Sequence, residues 1–487
     1  MSLADTTEET LAAIQKAQTT GILESTGAWS YDLTGVVRLI PVVTPLRDKI
    51  ARVASTQGSP FAIWRAFMDV TNAQPRATPG FDYAGNEVVF KEQDFQAAYM
   101  PVALSGLVTQ DAFDVAKGLY DPYAEASMGV LNQTLIAEDK LLFGGQTFAL
   151  PQPAAGIITT ATTGGSLAAT TAVFVGVAAR TGSNYYYGGN SRGRSSTITT
   201  GATATNAVTV TIPAVKGAVA YDWFYSANGT VWFYAASTTI ASYTLTAAVG
   251  ANATPGSLAL PDFSTWAPTI STAADNGSAQ AAETNGLLAS ITGDYTAGGV
   301  FTTAGTATPN GATFVDGGGS ALSLSGGSVT QIENLFAAIW NAIKASPTAL
   351  MVNAVQAQEI ANLVLGSTSA TTFLTTDESG RVNTTAGGRV GQIVNTPAGG
   401  VTVPIEVHVS CPPGTIIART DRVPFPQSNI TATLQVRTLR DYSQFDYATG
   451  RVAGAVGGGP RKEFEIRSVQ TLINRAPVAF AVLSNIV

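Results

Sequence analysis

Pro347-Thr348-Ala349-Leu350-Met351-Val352-Asn353 reads as a short apolar strand set between two helices. Pro347 separates the strand from what precedes it, because proline cannot continue a helix. Asn353 suits the cap of a following helix, whose apolar positions Ile360, Leu363 and Val364 end at Gly366. Upstream, Ser328-Val329-Thr330-Gln331 has the form of a capping box. Ile332, Leu335, Phe336, Ile339 and Ile343 then recur at helical spacing. Downstream, further strands are expected at 389–394, 401–409, 415–418, 430–438 and 463–470, before a last apolar run from Val478 to Leu483. This region therefore mixes α and β.

The N-terminal part holds three different patterns. Asp121-Pro122 starts a helix, with Asp121 as cap and Pro122 at the first position, where no backbone N–H is needed. Met128, Leu131, Leu135 and Leu142 supply one apolar face, and Gly144-Gly145 stops the helix. At 1.5 Å per residue it spans roughly 34 Å, the length of a spine rather than a connector. Before it, residues 61–108 read as one long hairpin, built from the run Phe61 to Phe67, from Val88-Val89-Phe90 and from the return run Phe95 to Val108. Its tip, 72–86, is rich in turn formers and has no core of its own to join. Earlier still, a short helix is expected around Leu11 and Ile14. From Gly21 to Val43 neither period holds, yet Trp29, Tyr31, Leu33, Val36, Val37, Leu39 and Ile40 are too apolar for a free tail. An extended arm lying on another surface fits this pattern; the alternative is an ordinary buried N-terminal strand.

The middle is different again. Residues 151–325 carry only Arg180, Arg192, Arg194, Lys216, Asp222, Asp262, Asp275, Glu283, Asp294 and Asp316 as charged groups, and Thr, Gly and Ala dominate. Within 165–262, about seven short β-branched or aromatic runs alternate with turns, which predicts a small self-contained β-sandwich. The strands include 173–177, 184–187, 208–212, 220–225, 231–234 and 242–245, with Asn228-Gly229 as a hairpin turn. Tyr221, Trp223, Phe224 and Trp232 are its core candidates.

Composition removes several kinds of chemistry. The 487 residues contain one Cys (Cys411) and one His (His408), so no intrachain disulfide, cysteine zinc site or two-His metal motif is possible. Charged residues make up 12%, about half the usual share, and the net charge is -7 with no cluster of Lys and Arg that would grip DNA. There is no Gly-Lys dipeptide, hence no phosphate-binding Walker loop. Gly189-Asn190-Ser191-Arg192-Gly193 matches the hydrolase elbow pattern, but Arg194 to Thr199 reads as a strand where that motif needs a helix. His408 alternates with Val407 and Val409 on a strand and reads as structural, and Cys411 has no obvious base beside it. Gly454 to Gly459, before Pro460, is a loop, and Asp377, Glu378, Asp441 and Asp446 are scattered acids. Neither a signal peptide nor a membrane helix is expected. The reading is a soluble cytoplasmic product.

The order of elements resembles the major capsid proteins of tailed bacteriophages, whose fold encapsulin shells share. The residues that carry the resemblance are Pro347 to Asn353 with Ile360 to Gly366, then Pro413-Gly414-Thr415-Ile416-Ile417-Ala418 with Pro424-Phe425-Pro426, then Glu463 to Arg467 and Ala479 to Leu483. It covers about 1–150 and 263–487. The implied fold is α+β, a phage capsid fold with an all-β sandwich insert. Its divisions are an N-terminal arm (1–60), an extended hairpin loop (61–108), the spine helix of a peripheral domain (109–150), an insert that looks immunoglobulin-like or fibronectin-like (151–262), an α/β axial domain (263–435) and the closing peripheral strands (436–487). Such inserts typically decorate the outer surface. The implied function is a non-enzymatic subunit that self-assembles through pentamers and hexamers into an icosahedral shell enclosing phage DNA. Its place is the virion, after assembly in the bacterial cytoplasm. The implied partners are further copies of the chain, portal and scaffolding or decoration proteins, and packaged DNA enclosed without tight sequence-specific binding. No membrane and no cofactor is implied. Trp29, Tyr31, Trp64, Phe67, Phe90, Lys91, Phe95 and Tyr99 are the expected assembly residues. Some family members crosslink a hairpin lysine to a neighbour, and Lys91 is the only hairpin lysine here, without a matched partner. The alternatives are an encapsulin-type compartment and a tail or adhesin protein with a carbohydrate-binding sandwich.

Overall fold

A computed structural model describes residues 42–55, 58–71, 89–116, 121–169, 172–187, 192–199, 206–228, 231–248, 284–296, 299–302, 308–325, 327–365, 375–376, 382–383, 390–421, 423, 432–447 and 461–487. The arm residues Trp29 and Tyr31, the hairpin tip 72–86, Gly189 to Ser191, Asp377 with Glu378, and the glycine-rich loop before Pro460 lie outside the described residues. The described chain is α+β, with more strands than helices.

The long helix forms as the sequence predicts, over Pro122–Gly144. The Asp121 carboxylate accepts from Tyr123 N (2.9 Å) and Ala124 N (3.4 Å), satisfying two donors that the first turn leaves free. The helix crosses a four-stranded sheet ordered Ala51–Ala54, Leu434–Tyr447, Arg461–Asn474, Met100–Thr109, in which only the first pair is parallel. At the crossing, a Cβ on Gly106 would stand 2.5 Å from the Phe464 ring and 3.0 Å from Val130, so only glycine lets the ring slide beneath the helix. The expected apolar face does not hold. Met128 is 62% exposed, Leu131 and Leu135 are half-buried, and the interior positions are Thr134, Glu138, Asp139, Leu142, Phe143 and Gly144. Apolar spacing predicts the buried side only where the opposing surface is apolar. Here the surface opposite Glu138 presents arginines.

The hairpin is shorter than the sequence suggests. Phe61–Thr71 pairs with Val89–Ala98, and the pairing stops there. Met100–Thr109 turns away and pairs with Arg461–Asn474. The break falls at Tyr99, whose N–H bonds the carbonyl of Pro60 (3.0 Å) rather than a ladder partner.

The middle region contains two facing sheets. One has four strands, in the order Phe233–Thr238, Ala220–Ser226, Ala172–Arg180, Arg192–Thr199. The other has three, in the order Ser242–Leu245, Ala207–Thr211, Ile157–Ala161. Val173, Val175, Val177, Val208, Val210, Tyr221 and Trp223 fill the space between them. Two expectations fail. Asn184 to Tyr187 is helical, within Gly182–Tyr187, because Thr181 and Asn184 cap each other: Asn184 N donates to the Thr181 hydroxyl (3.0 Å) and Thr181 N to Asn184 Oδ1 (3.3 Å). Trp232 is only half-buried, and Phe224 is buried on the face away from Trp223. Nor do these sheets stand free. Gly182 lies so close to Gly144 that an added Cβ would come within 2.8 Å of its Cα. Lys216 pairs with the buried Asp294 (3.1 Å), and residues 239–241 bond the C-terminal residues.

The last body is a six-stranded mixed sheet in the order Thr313–Ser320, Phe480–Ile486, Ile416–Arg419, Ala349–Val352, Val401–Val407, Gln392–Asn395. The helix Thr330–Ile343 packs Ile332, Leu335, Phe336, Ile339 and Ile343 into its core, the residues that the spacing predicted. The capping box is not formed. Val329 occupies the cap, and Gln331 instead accepts from Ser323 N (2.9 Å) and donates to the carbonyl of Ala321 (3.2 Å). Asn353 does cap Ala354–Leu365, accepting from Val355 N (3.0 Å), and its amide also donates to the carbonyl of Cys411 (2.6 Å).

Candidate functional site

The hairpin strand from Phe61 alternates sides with period two. Ala62, Trp64, Ala66 and Met68 face inward and are buried; Phe61, Ile63 and Arg65 face outward. Trp64 donates from its indole to the carbonyl of Asn474 (2.8 Å) and stacks on Phe95 at 5.8 Å. Phe95 in turn meets Phe301 (5.3 Å) and Tyr295 (5.1 Å). Trp64, Phe95 and Tyr99 are thus buried in the chain's own interior. Phe67 is half-buried against the central core, and its N–H bonds the carbonyl of Arg475 (2.9 Å). Lys91 is exposed. Phe90 lies in the strand, its side chain outside the described residues, as are Trp29 and Tyr31.

The outward residues are the ones that reading the sequence missed. Phe61 is 49% exposed and Ile63 61%, side by side on one face of the hairpin. Arg65 continues the row and bonds Asp94 across the strands (2.8 Å), with Glu92 at 3.5 Å. The Arg65 guanidinium holds the Asp94 carboxyl below the usual range. Alternation about Trp64 was the available signal: once the tryptophan points inward, Phe61 and Ile63 must point outward. Beside this face a cleft of about 210 Å³ is lined by Phe61, Ala98, Met100, Val300 and Phe301 among others.

A second constellation anchors the start of the described chain. Asp139 accepts from Leu46 N (3.1 Å) and Arg47 N (3.0 Å), while its other oxygen takes the Ser410 hydroxyl. Glu138, fully buried, accepts from Arg47 Nε (2.6 Å), Gln470 Nε2 (2.6 Å), Arg52 Nη1 and the Tyr442 hydroxyl. Both guanidinium groups also stand over the Tyr442 ring, at 5.7 and 5.5 Å. Burial pushes the Glu138 carboxyl up, but Tyr442, Arg52 and Gln470 outweigh it and hold the group below the usual range. Burial beside that carboxylate raises the Tyr442 phenol. Two consecutive acids on one helix thus bind residues 46–52 to the helix and to the sheet.

Nearby, Glu406 Oε2 stands 3.4 Å from His408 Nε2, Glu406 Oε1 takes Lys49 (2.6 Å), and Arg419 lies at 3.8 Å. The His408 contact, then Lys49 and Arg419, outweigh burial and lower the Glu406 carboxyl to about 2. His408 is fully buried, and its N–H bonds the carbonyl of Val352 (2.9 Å). Burial raises the Cys411 thiol, so its thiolate is scarce. Among the described residues no group of three His, Cys, Asp or Glu could hold a metal ion, and no helix is long and apolar enough to cross a membrane. These clusters hold segments together.

No protein-family profile matches the chain, and no curated protein does. Among solved structures it is similar to the capsid of a native GTA particle at 9% identity, with a TM-score of 0.42, over 95% of this chain and 94% of that one. It is similar to the capsid of cyanophage A-1(L) at 10% identity, with a TM-score of 0.46, over 95% and 97%. It is similar to the SrpI encapsulin of Synechococcus elongatus PCC 7942 at 8% identity, with a TM-score of 0.38, over 97% and 95%.

Proposed function

We propose that the chain is a shell subunit, the major capsid protein of a tailed bacteriophage. It assembles through pentamers and hexamers into an icosahedral container for DNA. The observation that carries this reading is the hairpin. It pairs with no other strand of the described chain, and it displays Phe61 and Ile63 on its outer face. Exposed apolar residues grouped on one face mark an interaction surface, and a second copy of the chain is the partner that a closed symmetric assembly supplies. The long helix on its four-stranded sheet forms the peripheral part, and the six-stranded sheet with its two helices forms the axial part. The paired middle sheets are the immunoglobulin-like insert, on the outer side. Lys91, exposed on the hairpin, remains a candidate contact, with Trp29 and Tyr31 of the arm. Portal, scaffolding or decoration proteins complete the virion.

The test is assembly of a double variant, Phe61→Ser with Ile63→Ser. The subunit is expected to fold with unchanged circular dichroism, while shells seen by negative stain for the unaltered chain are lost. Shells of normal yield from the double variant would overturn the assignment of this face. An unaltered chain that stays monomeric, even with its assembly partners, would overturn the function.

A further inference from the structure

We propose that Asn485 is a latch that ties the paired middle sheets to the six-stranded sheet and pins the glycine bulge in that sheet's edge strand Thr313–Ser320, so that the two bodies move as one. Asn485 sits near the end of the strand Phe480–Ile486, is almost fully buried, and has φ of 61°. Asparagine enters this left-handed region more readily than other side chains apart from glycine. Its two amide atoms serve two different segments. Oδ1 accepts from Ala241 N at 2.7 Å, in the loop between the strands Phe233–Thr238 and Ser242–Leu245. Nδ2 donates to Asp316 Oδ1, also at 2.7 Å. That same oxygen accepts from Gly318 N at 2.8 Å and so shapes the bulge. There Asp316 pairs with Ser484 and Ser320 with Ile486, so the strand Thr313–Ser320 has two more residues than its partner needs.

The surroundings support the same junction. The Thr239 hydroxyl donates to the carbonyl of Ile486 (3.1 Å). Gly414, at φ of 76°, comes so close that a Cβ on it would stand 2.6 Å from Thr239 Cβ. An isosteric carboxylate could keep the acceptor toward Ala241 but not the donor toward Asp316.

The test is hydrogen exchange on the full chain, followed in fragments covering 239–245 and 316–320. In Asn485→Ala both fragments are expected to exchange about tenfold faster, as buried hydrogen bonds are lost, while 349–352 stays protected. Asn485→Asp is expected to accelerate only 316–320 at neutral pH, because two carboxylates then face each other. Adding Asp316→Asn to Asn485→Asp removes the facing charges and lets the new amide at 316 donate to the new carboxylate at 485, but that position then no longer accepts from Gly318 N, so protection of 316–320 is expected to return only in part. This rescue makes no use of the alanine variant, so it stands even where that variant fails to fold. Unchanged exchange in Asn485→Ala would overturn the latch. So would a double variant no better protected than Asn485→Asp alone.

Discussion

Removing the Glu138 carboxylate is expected to destabilise the folded chain by about 3 kcal/mol. The side chain has no exposed surface and accepts from Arg47, Arg52, Gln470 and Tyr442. Glu138→Ala leaves two guanidinium groups facing each other, with only the exposed Asp48 (3.4 Å from Arg47) and Asp441 (3.3 Å from Arg52) as counter-charges. Deleting one partner of a buried ion pair costs roughly 3–5 kcal/mol, and the low end applies because Arg47 and Arg52 keep side-chain exposures of 20% and 21%. Glu138→Gln keeps the shape and one acceptor oxygen, so about 2 kcal/mol is expected, the scale of hydrogen bonds to a charged group. The assay is urea unfolding of the purified chain by tryptophan fluorescence. The expected result is a lower midpoint with an unchanged slope. A loss of 3 kcal/mol is roughly a 150-fold change in the unfolding equilibrium. The pH dependence has a definite sign. The folded carboxyl is held below its usual value, so its contribution is present above about pH 4.5 and is lost as pH falls through the folded value. The gap between the unaltered chain and Glu138→Gln should therefore narrow below about pH 4.5. Midpoints for both variants within about 0.5 kcal/mol of the unaltered chain at pH 7 would refute the reasoning, because a buried pair cannot be cut without leaving a poorly compensated charge.

Leu142→Ala is expected to cost about 3 kcal/mol and Met128→Ala less than about 0.5, although both lie on the apolar stripe; urea midpoints decide between stripe and burial. Glu406→Gln should remove a stability component that the unaltered chain keeps above about pH 4.5 and loses toward pH 2, visible in acid titration by circular dichroism. Gly182→Ala is expected to cost about 1–3 kcal/mol in thermal unfolding, since its Cβ would meet Gly144 backbone.

Where a segment's neighbours were apolar, its sequence was enough. The helix Thr330–Ile343 meets a sheet of Leu350, Met351, Ile417 and Val482, so its 3.6-residue period predicted the buried residues. Asp121-Pro122 and Asn353 cap their own helices because a cap is a local contract between a side chain and the next two or three N–H groups. The long helix breaks the pattern because its partner surface is not apolar. Glu138 and Asp139 look like solvated acids until Arg47, Arg52, Tyr442 and Gln470 come from positions 86 to 332 residues away in the chain. Ser328-Val329-Thr330-Gln331 has the spacing of a capping box, yet the glutamine finds Ser323 and Ala321 instead. A side chain with two polar ends takes whichever partners tertiary packing places in reach.

The hairpin shows the same limit from the apolar side. Trp64, Phe95 and Tyr99 are expected assembly residues because the chain resembles a family whose hairpins reach neighbours. The chain gives the hairpin a core: Phe148, Ala289, Phe301 and Ile473, all from later segments, close over the inner face. The exposed face is the other one, with Phe61 and Ile63, and it is set by parity alone. Since the side-chain period is two, a slip of one residue against Val89–Ala98 would exchange the two faces. Burial of Trp64 therefore fixes the register and with it the exposed face of the hairpin. Weakening Trp64 should act on assembly through the fold, whereas changing Ile63 should act on assembly with the fold intact.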